Sequence, residues 1–249
     1  MCGRNGVPTI ELIDPSLDAG PALRNCGPSA FPGFPMLFDF EVLAPENHYK
    51  LLVATVVPRP IAWVVTQDID GRLNAAPFSF FNAFSQDPPI VCIGIGGRGP
   101  GDVKDTGNII RRTGEFVVNL VSEEVAEQMN ITAIDFPAHV DELAQAGLTT
   151  EPCRHVRPPR IAESPVSLEC RRYMTVEVGN DRAIVMGEVL AIHVRDDAVM
   201  DPARCYIDTP ALKLIGRMHG RGWYARTSDR FEMPRIAVDD WEMRKKAAE

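Results

Sequence analysis

The 249-residue chain has no C-x-x-C pair: its six cysteines, Cys2, Cys26, Cys92, Cys153, Cys170 and Cys205, are scattered. That scatter argues against a zinc ribbon, an iron–sulfur run or a thioredoxin motif, and it fits reduced thiols in a cytoplasm. The five histidines, His48, His139, His155, His193 and His219, show neither H-E-x-x-H nor other metal-ligand spacing, so the sequence indicates no metal site. No apolar run approaches the roughly 20 residues of a bilayer span, and the start lacks the basic and apolar stretches of a secretory signal. The expectation is a soluble cytoplasmic protein without a membrane segment. Excess positive charge is also missing. The formal net charge is -8 with both signs interspersed, and Arg111-Arg112 and Arg171-Arg172 are too short for a nucleic-acid surface. No G-x-S-x-G or cysteine–histidine signature supports hydrolysis. No segment repeats, which argues against a solenoid or propeller.

What is present suits a sizeable core: 45% of the residues are hydrophobic, enough for one large domain or two small ones. Residues 1–35 carry Pro8, Pro15, Pro21, Pro28, Pro32 and Pro35, a density that prevents regular helix or central strand. This segment is expected to be an arm, either packed on the rest of the protein or a partner subunit, or an extension without a role. Runs rich in β-branched and aromatic residues predict strands over 61–66, 75–83, 90–95, 115–121, 166–178 and 182–194. Asp70-Gly71 supplies hairpin-turn chemistry between the first two, because glycine tolerates positive φ. Asn180-Asp181 plays a similar part between the last two. Helical pattern covers 105–112, 122–130, where Ser122 is a candidate N-cap, and 140–146. Cys92 and Cys170 fall in strand patterns and read as small core residues.

Several segments carry chemistry. Gly94-Ile95-Gly96-Gly97-Arg98-Gly99 matches a dinucleotide fingerprint, but Pro100-Gly101 interrupts the place where its helix should open, so a flexible connection is the better expectation. In Lys104-Asp105-Thr106-Gly107-Asn108, Asp105 or Thr106 can cap the following helix, leaving N–H groups, a hydroxyl and the Lys104 charge for a phosphate. An ordinary capped surface helix is the alternative. Across 74–82, alternation turns Pro77, Ser79 and Phe81 to one face and Phe78, Phe80 and Asn82 to the other. Arg59, fixed between Pro58 and Pro60, is rigid enough to aim at an anion or to sit in a surface ion pair. The stretch 215–224 is rich in glycine, charge and aromatics; there Arg217 and His219 could bind a nicotinamide dinucleotide or another substrate, or belong to a solvated loop.

Four blocks in order carry a resemblance: Pro58-Arg59-Pro60-Ile61-Ala62-Trp63-Val64-Val65-Thr66, Asn74-Ala75-Ala76-Pro77-Phe78-Ser79-Phe80-Phe81-Asn82, Ser85-Gln86-Asp87-Pro88-Pro89 and Lys104-Asp105-Thr106-Gly107-Asn108-Ile109. Together they resemble the flavin reductase-like family of FMN-binding split barrels, which includes flavoredoxins and NAD(P)H:flavin oxidoreductases. The resemblance implies a mainly β fold, a split β-barrel of Greek-key type with a few short peripheral helices, over residues 36–230, with 231–249 as a C-terminal tail. It implies a homodimer with FMN at the subunit interface. Arg59, Pro60 and Thr66 would contact the flavin or its phosphate, with Trp63 packing beside. Pro77 and Phe78 would wall the ring, Ser79 and Asn82 would make polar contacts, and Lys104, Asp105 and Thr106 would hold the phosphate. The implied chemistry is hydride transfer from NADH or NADPH to flavin, then electron transfer to free flavin, oxygen, a monooxygenase or another acceptor. No catalytic side chain is needed, because the cofactor carries the hard step. A flavin carrier or electron-transfer protein without direct NAD(P)H activity is the alternative. The motifs of the pyridoxamine phosphate oxidases are not evident.

Overall fold

The computed structural model describes residues 36–99, 102–137, 139–179 and 181–246. The proline-rich segment 1–35, with the arm expected there, lies outside the described residues. The chain divides into two compact units, one ending at Tyr49 and the other beginning at Lys50. In the first, the Phe40 ring stacks on His48 with centroids 4.6 Å apart, and His48 Nε2 lies 3.1 Å from the Leu43 carbonyl. A helix the strand-centred pattern did not reveal, α1 (Pro45–Thr55), opens on a proline, whose missing N–H costs nothing in a first turn.

The second unit is built on seven strands: β1 (Ala62–Gln67), β2 (Leu73–Phe78), β3 (Phe81–Gln86), β4 (Pro89–Ile95), β5 (Glu115–Leu120), β6 (Val166–Glu177) and β7 (Ala183–Val194). All neighbours pair antiparallel, in the spatial order β2-β1-β5-β6-β7-β4-β3. The two edge strands, β2 and β3, are consecutive in sequence with Ser79 and Phe80 between them. Edges tied by so short a connection must come together, so the sheet rolls into a barrel that is joined at the seam by the chain and not by a ladder of hydrogen bonds.

Alternation along the strands sorts side chains into two clusters. Ala62, Val64, Phe78, Ile93, Phe116 and Leu168 belong to the barrel interior. Ile61, Trp63, Val65 and Ala75 face the other way, against Met129, Leu143 and Ile161. Gly187 sits where a Cβ would come within 2.4 Å of the Phe116 ring, so its lack of a side chain permits that aromatic packing. Several buried polar groups are paired across elements: Trp63 Nε1 donates to Thr132 Oγ1 at 2.8 Å, and Asn119 Oδ1 accepts from Ile161 N at 3.0 Å and Ser167 Oγ at 2.8 Å.

The six expected strands are present, with one correction. The run 75–83 is two strands broken at Ser79-Phe80. The break puts Phe78 and Phe81 on the same interior cluster, where strict alternation had separated them. The glycine run expected as a flexible connection instead forms a ribbon, Gly97–Gly99 pairing with Asp102–Val103. Asp68 accepts from the backbone of Asp70 at 2.8 Å and Arg72 at 2.9 Å, holding the expected first turn, in which Gly71 has φ 87°. Asn180 lies outside the described residues; Val178 N–H donates to the Arg182 carbonyl at 2.8 Å to close the last hairpin.

Helix α2 (Asp105–Thr113) matches the pattern. The 122–130 pattern resolves into a 3-10 turn, Glu123–Val125, and α3 (Ala126–Ile131). Ser122 stands before the turn, but its hydroxyl makes no cap bond, so that expected cap is absent. Helix α4 (Glu142–Gln145) is shorter than expected and is capped by Asp141, which accepts from Leu143 N at 2.9 Å and Ala144 N at 3.3 Å. In the tail, α5 (Val238–Lys246) begins with Asp239 and Asp240 and ends with Arg244, Lys245 and Lys246. This arrangement complements the helix dipole although no residue of it is buried. Among the described residues, no helix is long and apolar enough to cross a membrane.

Candidate functional site

One end of the barrel gathers polar side chains from β1, β2 and α2. Thr66 and Asn74 are direct partners in the β1–β2 register and therefore share a face. Asn74 Nδ2 donates to Thr106 Oγ1 at 2.9 Å. Thr66 is fully buried and its hydroxyl has no hydrogen-bond partner, an atom that needs a ligand or a water. The residue before α2 is Lys104, with φ -54° and ψ 146° and no side-chain cap bond. Asp105 and Thr106 are thus already helical, which corrects the expectation that one of them caps the helix. The Thr106 hydroxyl instead turns inward to Asn74. The Lys104 ammonium sits 5.6 Å from the centroid of the Phe78 ring.

Lys104, Asp105 and Thr106, together with Asn74 and Pro77, line a 60 Å³ cavity closed by 132–136 and Glu142. Asn74, Asp105 and Glu142 also line an adjoining cavity of 280 Å³ with Arg72 and Arg112. Glu142 reaches β2, where its Oε2 accepts from Ala75 N at 3.2 Å. Burial pushes its carboxyl above the usual range, and the negative charges of Asp141 and Asp105 add to that against the lowering effect of its backbone hydrogen bonds. Neither Asn74 nor Glu142 had been assigned a role from sequence. Asn74 stood at the head of a quoted block, whereas nothing in the sequence linked Glu142 to a strand 67 residues away.

Arg59 occupies a different environment. It is 6% exposed, so it is not the surface residue offered as one alternative. Its Nη1 donates to the carbonyls of Val53 at 2.9 Å and Val56 at 2.6 Å, its Nη2 to that of Met218 at 3.0 Å, and its Nε reaches Ser79 Oγ at 3.4 Å. Its backbone pairs with Arg217, N–H to carbonyl, in both directions at 2.9 and 2.7 Å. Pro60 lies beside it, lining a 380 Å³ groove with Leu120, Ile215 and Ala225. Arg217 belongs to a short hairpin, β8 (Ile215–Arg217) with β9 (Tyr224–Arg226), and its guanidinium lies 4.7 Å from the centroid of Tyr224. His219, at the exposed tip, stacks loosely on Trp223 with centroids 6.2 Å apart. Asn82 is exposed on β3, its Oδ1 accepting from Ala83 N at 2.8 Å. The structure therefore brings Pro77, Lys104, Asp105 and Thr106 to one cavity, with Phe78 under Lys104 and Thr66 next in register. Arg59 is grouped with Ser79, and Arg217 and His219 lie on the hairpin.

The barrel matches that of a known group of proteins. A family model described as flavin reductase like domain matches residues 54–209, and the chain belongs to that family. It is accordingly a flavin-related oxidoreductase on a split barrel. An uncharacterized protein of Deinococcus radiodurans is 45% identical over 216 residues, 85% of this chain and 95% of that one. YwrF of Bacillus subtilis is 36% identical over 204 residues, 80% and 98% of the two chains. Among solved structures, nitrilotriacetate monooxygenase component B from Bacillus cereus has a TM-score of 0.74 at 28% identity, covering 79% of this chain and 98% of that one. The 2-nitrobenzoate 2-nitroreductase NbaA of Pseudomonas fluorescens also has a TM-score of 0.74, at 30% identity over 81% and 97%.

Proposed function

We propose that the protein binds FMN and uses it to take hydride from NADH or NADPH, passing the electrons to free flavin, oxygen or a protein acceptor. The observation that carries this is the corner of β1, β2 and α2, in which Thr66 Oγ1 is buried without a partner beside the Lys104–Thr106 turn. The donor set suits a phosphate monoester: an ammonium, a threonine hydroxyl and the positive end of a helix that no side chain caps. The 60 Å³ cavity has room for a phosphate-sized group and not for a tricyclic ring. The ring would lie along β2 toward Ser79, Phe80 and Asn82, with Pro77 and Phe78 as its walls and Lys104 reaching across Phe78. Bound there, the flavin supplies hydride acceptance and release, and the protein supplies orientation and exclusion of water. Arg59 contributes by tying the Ser79 hydroxyl to the Met218 carbonyl. Arg217 and His219, on an exposed hairpin, are the groups proposed for the nicotinamide donor.

A homodimer belongs to this proposal. Tyr173, Met174, Val176 and Ile184, near the outer ends of β6 and β7, and Phe80 and Phe84 on the seam are all exposed, more apolar surface than a lone barrel ordinarily presents. A second copy covering it would enlarge a site that one chain encloses only in part. The likeness to a monooxygenase component B supports an oxygenase as one acceptor, and the likeness to a nitroreductase supports a nitroaromatic as another.

The test is the visible spectrum of the purified protein with FMN, followed by anaerobic addition of NADH and, separately, NADPH. Bleaching of the flavin band identifies a reductase and its donor. A persistent band makes the protein a flavin carrier fed by another reductant, and failure to retain FMN overturns the assignment.

A further inference from the structure

The loop 152–160 crosses the sheet on the face opposite the barrel interior and brings three unlike side chains together. Cys153 Sγ, a Glu169 carboxylate oxygen and a His193 ring nitrogen all lie within 4.8 Å of one another, a grouping that the sequence, with no ligand spacing, did not suggest. The Glu169 side chain is fully buried and that of His193 is 32% exposed, so one side of the cluster is open to solvent and the other is not. The carboxylate is already oriented, with Arg154 N donating to Oε1 at 2.9 Å and His155 N to Oε2 at 2.6 Å. His193 Nε2 stands 2.6 Å from Oε1, the other end of the same pair. The nearby cation Arg160 is engaged by Glu151. None of the three residues lines the flavin corner's cavities.

We propose that Cys153, Glu169 and His193 form a binding site for a divalent transition-metal ion of the zinc class, which clips the 152–160 loop to β6 and β7. The donor set selects the ion: a thiolate and an imidazole suit zinc and disfavour calcium or magnesium, which take oxygen ligands. Backbone N–H bonds to the carboxylate are the outer support that ligating side chains ordinarily have. Zinc-to-ligand bonds of about 2.0–2.3 Å place tetrahedral ligand atoms roughly 3.3–3.8 Å apart, so the three atoms need to adjust by about 1 Å. The ion would take the place of the proton between His193 and Glu169, and water from the open side would complete the tetrahedron. A cation there would offset the buried Glu169 charge while joining the loop to both strands of the longest hairpin.

The experiment uses the full chain as purified, freed of metal by chelator and titrated with Zn2+ by calorimetry. A parallel titration with Co2+ gives tetrahedral bands to the red of the flavin absorption. Expected are one ion per chain, a Co2+ spectrum with thiolate character, and at least ~10-fold weaker Zn2+ binding in both Cys153→Ser and His193→Gln. A Cys92→Ser control should leave binding intact. The far-ultraviolet circular dichroism spectrum and melting temperature of each variant report that it is folded. Binding that is absent from the parent chain, or that either substitution leaves unchanged, overturns the proposal.

Discussion

Arg59 and Lys104 are the two cations that the sequence set beside a flavin, and their surroundings give them opposite duties. Arg59 is itself buried and donates to the backbone carbonyls of Val53, Val56 and Met218. Lys104 stands at the uncapped N-terminal end of α2, its ammonium over the Phe78 ring. The flat five-donor guanidinium can serve several carbonyls at once, whereas the ammonium on a flexible stem suits a single mobile anion. Proximity to a site therefore does not decide a residue's role; the acceptors around it do.

Four measurements would break or sharpen that contrast. Arg59→Met should have the largest effect, because it removes every hydrogen bond of a buried guanidinium that joins Val53, Val56, Ser79 and Met218, and leaves the buried Val53 carbonyl without that donor. About 3 kcal/mol or more is lost, which for a chain of this size lowers the melting temperature by roughly 6–12 °C in a thermal scan. An unchanged melting temperature would make Arg59 a ligand-facing residue after all. Lys104→Ala should leave the melting temperature within about 2 °C yet weaken FMN roughly 10-fold or more, with riboflavin unaffected, in a fluorescence titration. Equal weakening of both would remove the phosphate from this corner.

Glu142→Gln should strengthen FMN a few-fold over riboflavin, since it removes a negative charge from the same cavity. Its folded carboxyl titrates above the ordinary value, so the folded protein holds more protons there than the unfolded chain. The native carboxyl thus makes stability fall as pH rises from the ordinary carboxylate value through the raised one. The variant should have a flatter stability profile across that window in denaturant titrations. Ser79→Ala should have the smallest effect, because its bond to Arg59 Nε is 3.4 Å long. The melting temperature should move by about 2 °C at most, and FMN and riboflavin should weaken together. A loss confined to FMN would place Ser79 at the phosphate instead of the ring.

The strands were legible because β-branched residues alternate and Asp70-Gly71 marks a turn. The break at Ser79-Phe80 was not, since neither residue is a glycine or proline and the bend comes from the barrel closing. Lys104, Asp105 and Thr106 were legible as a helix start but not in their capping, because the Thr106 hydroxyl finds its partner, Asn74, 32 residues earlier. The surroundings of Arg59 were hidden for the same reason: Met218 is 159 residues away. Local pattern reveals elements, and only the assembled barrel reveals which polar atoms have acceptors left. Helix α1 was overlooked because its apolar residues give no clear stripe, with Val53 its one buried position.

The β2 edge has a further consequence for assembly. Its outward N–H at Ala75 is taken by Glu142, and at Pro77, two residues on, there is no N–H to offer. A foreign strand approaching along β2 would find the middle of the ladder already blocked, while β3 is exposed along nearly its whole length. Growth of this sheet by edge-to-edge pairing is therefore disfavoured along β2.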